Sequence, residues 1–153
     1  MSSDEIYDPI REKKVKGFQE ELVRQSLIAL MVDSLGYPKH LITVEKDLNQ
    51  LPHLKDKKTK NQRRADIICF EHNIHPLYEL FPLLLIECKA EKLNQSHIDQ
   101  VIGYNYFVQA FFIAVASNEK IKTLWYNKKK GQYDAVDFLP SHKELMQAVL
   151  HGK

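Results

Sequence analysis

The sequence predicts an α/β fold, in the order helix, three strands, helix, strands, helix. Stretches with apolar residues at helical spacing alternate with short β-branched or wholly apolar runs. One run, Leu83-Leu84-Leu85-Ile86, is apolar on both faces, as a central strand covered on two sides must be. The 153 residues suit one domain. A domain of this size buries roughly 68–70% of the surface its unfolded chain exposes and needs no disulfide staple.

The elements follow in order. Met1 to about Lys16 is polar and reads as a loose arm, leaving 17–153 as a single domain. Gly17 to Leu35 is helical, with Phe18, Val23, Leu27, Leu30 and Met31 near one face; Gly36 stops it and Pro38 follows. Leu41-Ile42-Thr43-Val44-Glu45 is a first strand by β-branching. A basic loop over 52–64 follows. Ala65–Phe70 and Pro82–Ala90 are the second and third strands, with Asn73 and Pro76 in the wide turn between them. Ser96 to about Gln109 is helical, capped by Ser96 or Asn94. Phe111–Ala116 is a further strand. Lys122–Tyr126 and Tyr133–Phe138 flank Lys128-Lys129-Lys130-Gly131 as a terminal hairpin, and Ser141–Leu150 is a last helix.

Composition excludes little. The net charge of +2 does not announce a nucleic-acid partner, but Lys55, Lys57, Lys58, Lys60, Arg63 and Arg64 crowd one segment. Such a run is either a solvated loop or a means of neutralising phosphates. The two cysteines, Cys69 and Cys88, lie inside apolar runs and read as buried thiols of a reducing compartment. No signal peptide and no apolar run near ~20 residues is present, so a cytoplasmic protein with no membrane partner is expected.

The chemistry concentrates where charges interrupt apolar strands. Asp66 opens Asp66-Ile67-Ile68-Cys69-Phe70, while Glu87 and Lys89 close the third strand. A symmetric hairpin centred between Pro76 and Leu77 sets Asp66 opposite Glu87. Alternation puts Glu87 and Lys89 on one face and Cys88 on the other. Two carboxylates ~4 Å apart cost about 4 kcal/mol at an effective dielectric near 20. A hard divalent cation removes that cost, with magnesium held by Asp66, Glu87 and the Cys88 carbonyl, and with Lys89 orienting water or stabilising a phosphoryl transition state. The competing reading is a structural salt bridge between Lys89 and one acid.

More than this triad is present. Arg64-Ala65-Asp66-Ile67-Ile68, then Leu85-Ile86-Glu87-Cys88-Lys89-Ala90, then Gln100 and Tyr104 four residues apart on one helix, resemble the PD-(D/E)xK nuclease superfamily with its QxxxY helix. With Glu20-Glu21-Leu22-Val23-Arg24-Gln25, Leu35-Gly36-Tyr37-Pro38 and Val44-Glu45, the pattern is similar to the N-terminal nuclease domain of type I restriction enzyme R subunits, in a stand-alone form, over roughly residues 17 to 118. The resemblance implies an α/β (α+β mixed-sheet) fold, a central mixed sheet flanked by helices with a restriction-endonuclease-like α-β-β-β-α-β core, and hydrolysis of DNA phosphodiesters with Mg2+, for which Mn2+ substitutes. Asp66 and Glu87 would bind metal and Lys89 would assist catalysis. The first helix supplies a further acid in this superfamily; Glu20 and Glu21 are both candidates, Glu20 nearer the apolar face. Gln100 would brace the site or contact DNA. Tyr104 would contact DNA or pack in the core, and Lys60, Arg63 and Arg64 would meet the DNA backbone. A homodimer, or a separate helicase or translocase, is the implied protein partner. The 153 residues hold no Gly-rich loop ending in Gly-Lys-Ser/Thr, so no ATP-driven motor is expected within them. The rival reading is a non-catalytic nucleic-acid-binding or assembly module that keeps the fold.

Other constellations are weaker. A zinc site would want cysteines at ligand spacing, which the chain lacks. His97 lies near Gln100 on the second helix and either approaches the site or, the favoured reading, is a surface residue. Trp125, Tyr126 and Tyr133 are either packing residues or a stacking platform for bases.

Overall fold

A computed structural model describes residues 5–47, 50–51, 53 and 64–151. A hairpin of β1 (Glu5–Asp8) and β2 (Lys13–Lys16) precedes α1 (Gln19–Asp33) and a one-turn 3-10 helix (Lys39–Leu41). There follow β3 (Ile42–Asp47), β4 (Arg64–His72), β5 (Leu80–Cys88), α2 (Gln95–Val108), β6 (Phe112–Ala116), β7 (Ile121–Asn127), β8 (Gln132–Val136) and α3 (His142–His151). The six strands from β3 onward form one sheet in sequence order. Every neighbouring pair is antiparallel except β5 and β6, which are parallel. The α1-β3-β4-β5-α2-β6 succession and the mixed sheet are those the resemblance implies, with α2 as the crossover that a parallel pair requires.

Two apolar layers cover the sheet. Val23, Leu27, Ile28 and Met31 of α1 and Leu145 and Val149 of α3 pack with Ile67, Leu84, Ile86 and Cys88. Val101 and Val108 of α2 pack with Ile68, Phe70, Leu85, Ile113 and Val115. Leu83 through Ile86 are fully buried, since β5 lies between both layers. The helix stops are local. Gly36, with φ +74, takes the left-handed turn after α1 that a side chain would strain. Asn94 caps α2 by accepting the His97 N–H at 3.1 Å, and the His97 ring accepts the Asn94 N–H in return.

Two sequence expectations are corrected. The segment expected as a loose arm contains the β1–β2 hairpin, because Asp8 is fully buried and closes its turn. Its carboxylate accepts the N–H groups of Ile10 at 2.8 Å and Arg11 at 3.2 Å and pairs with the Arg11 guanidinium. His97, expected at the surface, is buried as half of the α2 capping box, its Nε2 2.9 Å from Glu91. The hairpin symmetry holds where it matters. β4 and β5 pair Ile67 with Ile86, Ile68 with Leu85 and Cys69 with Leu84, the steps beside Asp66 and Glu87. Beyond them the register slips by one, and Pro82 stands opposite Phe70. A proline cannot donate to the ladder, and a bulge is where a sheet tolerates one.

Candidate active site at the edge of the sheet

The open ends of β4 and β5 carry Asp66 and Glu87. Asp66 is held at both oxygens: Oδ2 accepts the Cys88 N–H at 2.8 Å, and Oδ1 faces Arg24 Nη2 at 3.2 Å. Glu87 is 5% exposed, and its Oε1 has no hydrogen-bond partner among the described residues. Burial, then the neighbouring Asp66 carboxylate, push the Glu87 carboxyl up to about 9, and Lys89 offsets only part of that. The proton-holding glutamate hydrogen-bonds the Asp66 carboxylate beside it, and burial leaves its Oε1 without a partner among the described residues. A divalent cation would supply the missing partner, so the donor set of Asp66, Glu87 and the Cys88 carbonyl fits one. Thiolate ligation does not fit. Burial pushes the Cys69 thiol up to about 12 and the Cys88 thiol up as well, where Asp66, Glu87 and Glu20 add to the effect. Both cysteines are free.

Lys89 follows β5. Its backbone N–H donates to Ala116 at 2.8 Å, extending the parallel pairing with β6 by one step. Its ammonium donates to Gln100 Oε1 of α2 at 2.6 Å. The site thus lies between the two helical layers, with α1 reaching Asp66 and α2 reaching Lys89.

The α1 side carries a network that sequence reasoning missed. Arg24, buried on α1, meets Glu21 at 3.2 Å, Glu45 at 3.4 Å and Asp66 at 3.2 Å. Arg11, from the N-terminal hairpin, pairs with Asp8, with the same Glu21 and, at 3.3 Å, with the same Glu45. Arg11, Glu21, Arg24 and Glu45 therefore close a ring of alternating charge, with Asp66 on one corner. Glu45 has a left-handed backbone, φ 49, inside β3. That conformation costs an L-residue roughly 1–2 kcal/mol. The usable sequence signal was an arginine on the apolar face of an amphipathic helix, one turn beyond two acids.

Of the remaining candidates, Glu20 is exposed on the first turn of α1, within electrostatic range of Cys88, whereas Glu21 is tucked into the arginine ring. Tyr104 packs against the α2-side core. Arg64 is exposed and donates to the Glu45 carbonyl at 3.2 Å. Lys60 and Arg63 lie outside the described residues. Among the described residues no cluster of three His, Cys, Asp or Glu side chains is arranged to hold a metal. Trp125 sits edge-on to Phe112, and Tyr126 edge-on to Tyr133. No helix among the described residues is long and apolar enough to cross a membrane.

Residues 19–140, from α1 through β8, match the family model described as type I restriction enzyme R protein N terminus (HSDR_N). No curated protein and no solved structure matches the chain.

Proposed function

The chain belongs to the family of type I restriction enzyme R protein N termini, and on that premise we propose that it is a divalent-metal-dependent nuclease of DNA, working in a restriction system. The observation that carries the reading is the meeting of Asp66 with Glu87, whose buried Oε1 lacks a partner among the described residues. The family belonging adds to it, and so does the Lys89–Gln100 contact.

Asp66, Glu87 and the Cys88 carbonyl would hold magnesium or manganese. When bound, such an ion supplies Lewis acidity to a phosphodiester and to the water that attacks it. The chain's own residues do the rest. The Cys88 N–H ties one oxygen of the Asp66 carboxylate to the end of β5. Lys89 brings a positive charge to the same edge, held in place by Gln100, where it stabilises charge developing on phosphate oxygens and orients water. On the Lys89 side the edge meets solvent, since Gln100 is exposed and Lys89 half-buried.

Nicking of supercoiled plasmid and cutting of single-stranded DNA in magnesium or manganese test the reading. Cleavage is expected in the wild type and is expected to vanish in Asp66→Ala. Cleavage that persists unchanged in Asp66→Ala and Lys89→Ala would remove these residues from the mechanism. A second reading, a nucleic-acid-binding or assembly module without catalysis, draws on the ion pair of Arg24 with Asp66. It gains if calorimetry finds no uptake of either metal while salt-dependent DNA affinity remains.

A further inference from the structure

We propose that Arg24 is the positioning residue of this site: it fixes Asp66 for the cation, and the charge ring through Glu21, Glu45 and Arg11 fixes Arg24. This rests on the metal-dependent reading above and names a residue that the reading does not require.

Four observations support it. First, Asp66 has two anchors, the Cys88 N–H and Arg24 Nη2, one on each oxygen. Together they set the plane of the carboxylate, which either alone would leave free to turn. Second, Arg24 is held from several sides. Its side chain is 6% exposed and its two terminal nitrogens reach three separate carboxylates. A planar guanidinium makes such a fork, and a lysine ammonium on its flexible stem does not. Third, its Nε is buried without a hydrogen-bond partner among the described residues. A merely structural cation on a helix has no need of a buried, partly unsatisfied place beside the acids. Fourth, Glu45 stands in a left-handed backbone between the ladder pairs Val44–Ile67 and Lys46–Ala65 while its carboxylate meets both arginines. Local strain concentrates where the surroundings hold a group for a purpose.

The charge count agrees. Around this corner two guanidiniums face the four carboxylates of Asp8, Glu21, Glu45 and Asp66. The guanidiniums therefore steady these acids without neutralising all of them, and Arg24 orients the aspartate while the corner keeps a net negative charge.

Manganese titration by calorimetry, with the thermal midpoint measured alongside, tests the role in Arg24→Lys and Glu45→Gln. Arg24→Lys keeps the charge and loses the fork. It is expected to weaken manganese binding about 10–100-fold, the range for partners that orient metal ligands. Nicking should recover as manganese is raised, with KM for DNA unchanged. Glu45→Gln opens the ring at its half-exposed corner and is expected at the low end of that range. A folded Arg24→Lys protein with the wild-type manganese Kd overturns the proposal. If Arg24→Lys does not fold, Glu45→Gln decides, and a wild-type Kd there overturns it equally. A wild-type protein that takes up no manganese removes the underlying metal reading instead, an outcome distinct from either.

Discussion

The two ends of the β4–β5 hairpin are built from the same strands and filled in different ways. At the turn end, rings fill the space. His75 stacks on Phe81 with centroids 4.3 Å apart, Tyr78 lies 6.0 Å from Phe81, and Phe111 meets Phe81 edge-on. Polar groups there find neighbours. Asn73 N–H donates to Glu79, His53 Nε2 lies 2.7 Å from the Val108 carbonyl, and Glu71 meets His142 at 3.1 Å. At the open end the rings give way to Asp66, Glu87, Arg24 and Lys89, and Glu87 Oε1 and Arg24 Nε stay buried without hydrogen-bond partners among the described residues. One end is filled by packed rings. The other concentrates buried and half-buried charges, and such clusters gather where a protein acts on something else.

Substitutions can break this contrast. The largest stability effect belongs to the turn end: Phe81→Ala should cost about 3–5 kcal/mol through lost burial and the cavity left behind. Chemical denaturation should show that loss while the manganese Kd stays at its wild-type value; a shifted Kd would mean the ends are coupled. Lys89→Ala should do the reverse. Nicking rates are expected to fall about 10²–10³-fold, the scale for removing one stabilising charge or donor at a reacting oxyanion, with the denaturation midpoint unmoved.

Glu87 gives the contrast a pH signature. Its folded carboxyl is raised to about 9 from an ordinary 4.5. Below the ordinary value the proton is present in folded and unfolded chains alike, and the site costs nothing. As pH climbs toward 9 the unfolded chain has released the proton while the folded chain keeps it. Metal-free stability should therefore fall across that window, at up to about 1.4 kcal/mol per pH unit. Glu87→Gln, which mimics the neutral acid, should flatten the slope in denaturation curves taken from pH 5 to 9. A slope that survives the substitution would assign the effect elsewhere. The smallest effect expected is from Asn94→Ala, which removes the α2 cap: about 1 kcal/mol in stability, with cleavage retained at saturating metal.

Much of the architecture was legible because it follows local rules. The apolar run of β5 announced a doubly covered strand, Gly36 marked the end of α1, the start of α2 was narrowed to Ser96 or Asn94, and the spacing from Asp66 to Glu87 set the hairpin register at the end where the acids sit. The bulge was not legible, since Pro82 interrupts the pairing only once β4 lies beside it. The N-terminal hairpin was missed for a similar reason. A charged residue such as Asp8 reads as solvated in one dimension and is buried in three, its turn closed around it.

The candidate site divides along the same line. The sequence by itself determined which groups stand at the strand ends, because alternation and hairpin symmetry are properties of neighbouring residues. Only the tertiary structure decided their electrostatic setting. The packing of α1 on the sheet brings Arg24 from 42 positions away onto Asp66, and the N-terminal hairpin brings Arg11 from 34 positions away onto Glu45. Ion pairs between residues so distant in the chain leave no periodic trace in it, because their energy depends on separation in space and on the water excluded around them.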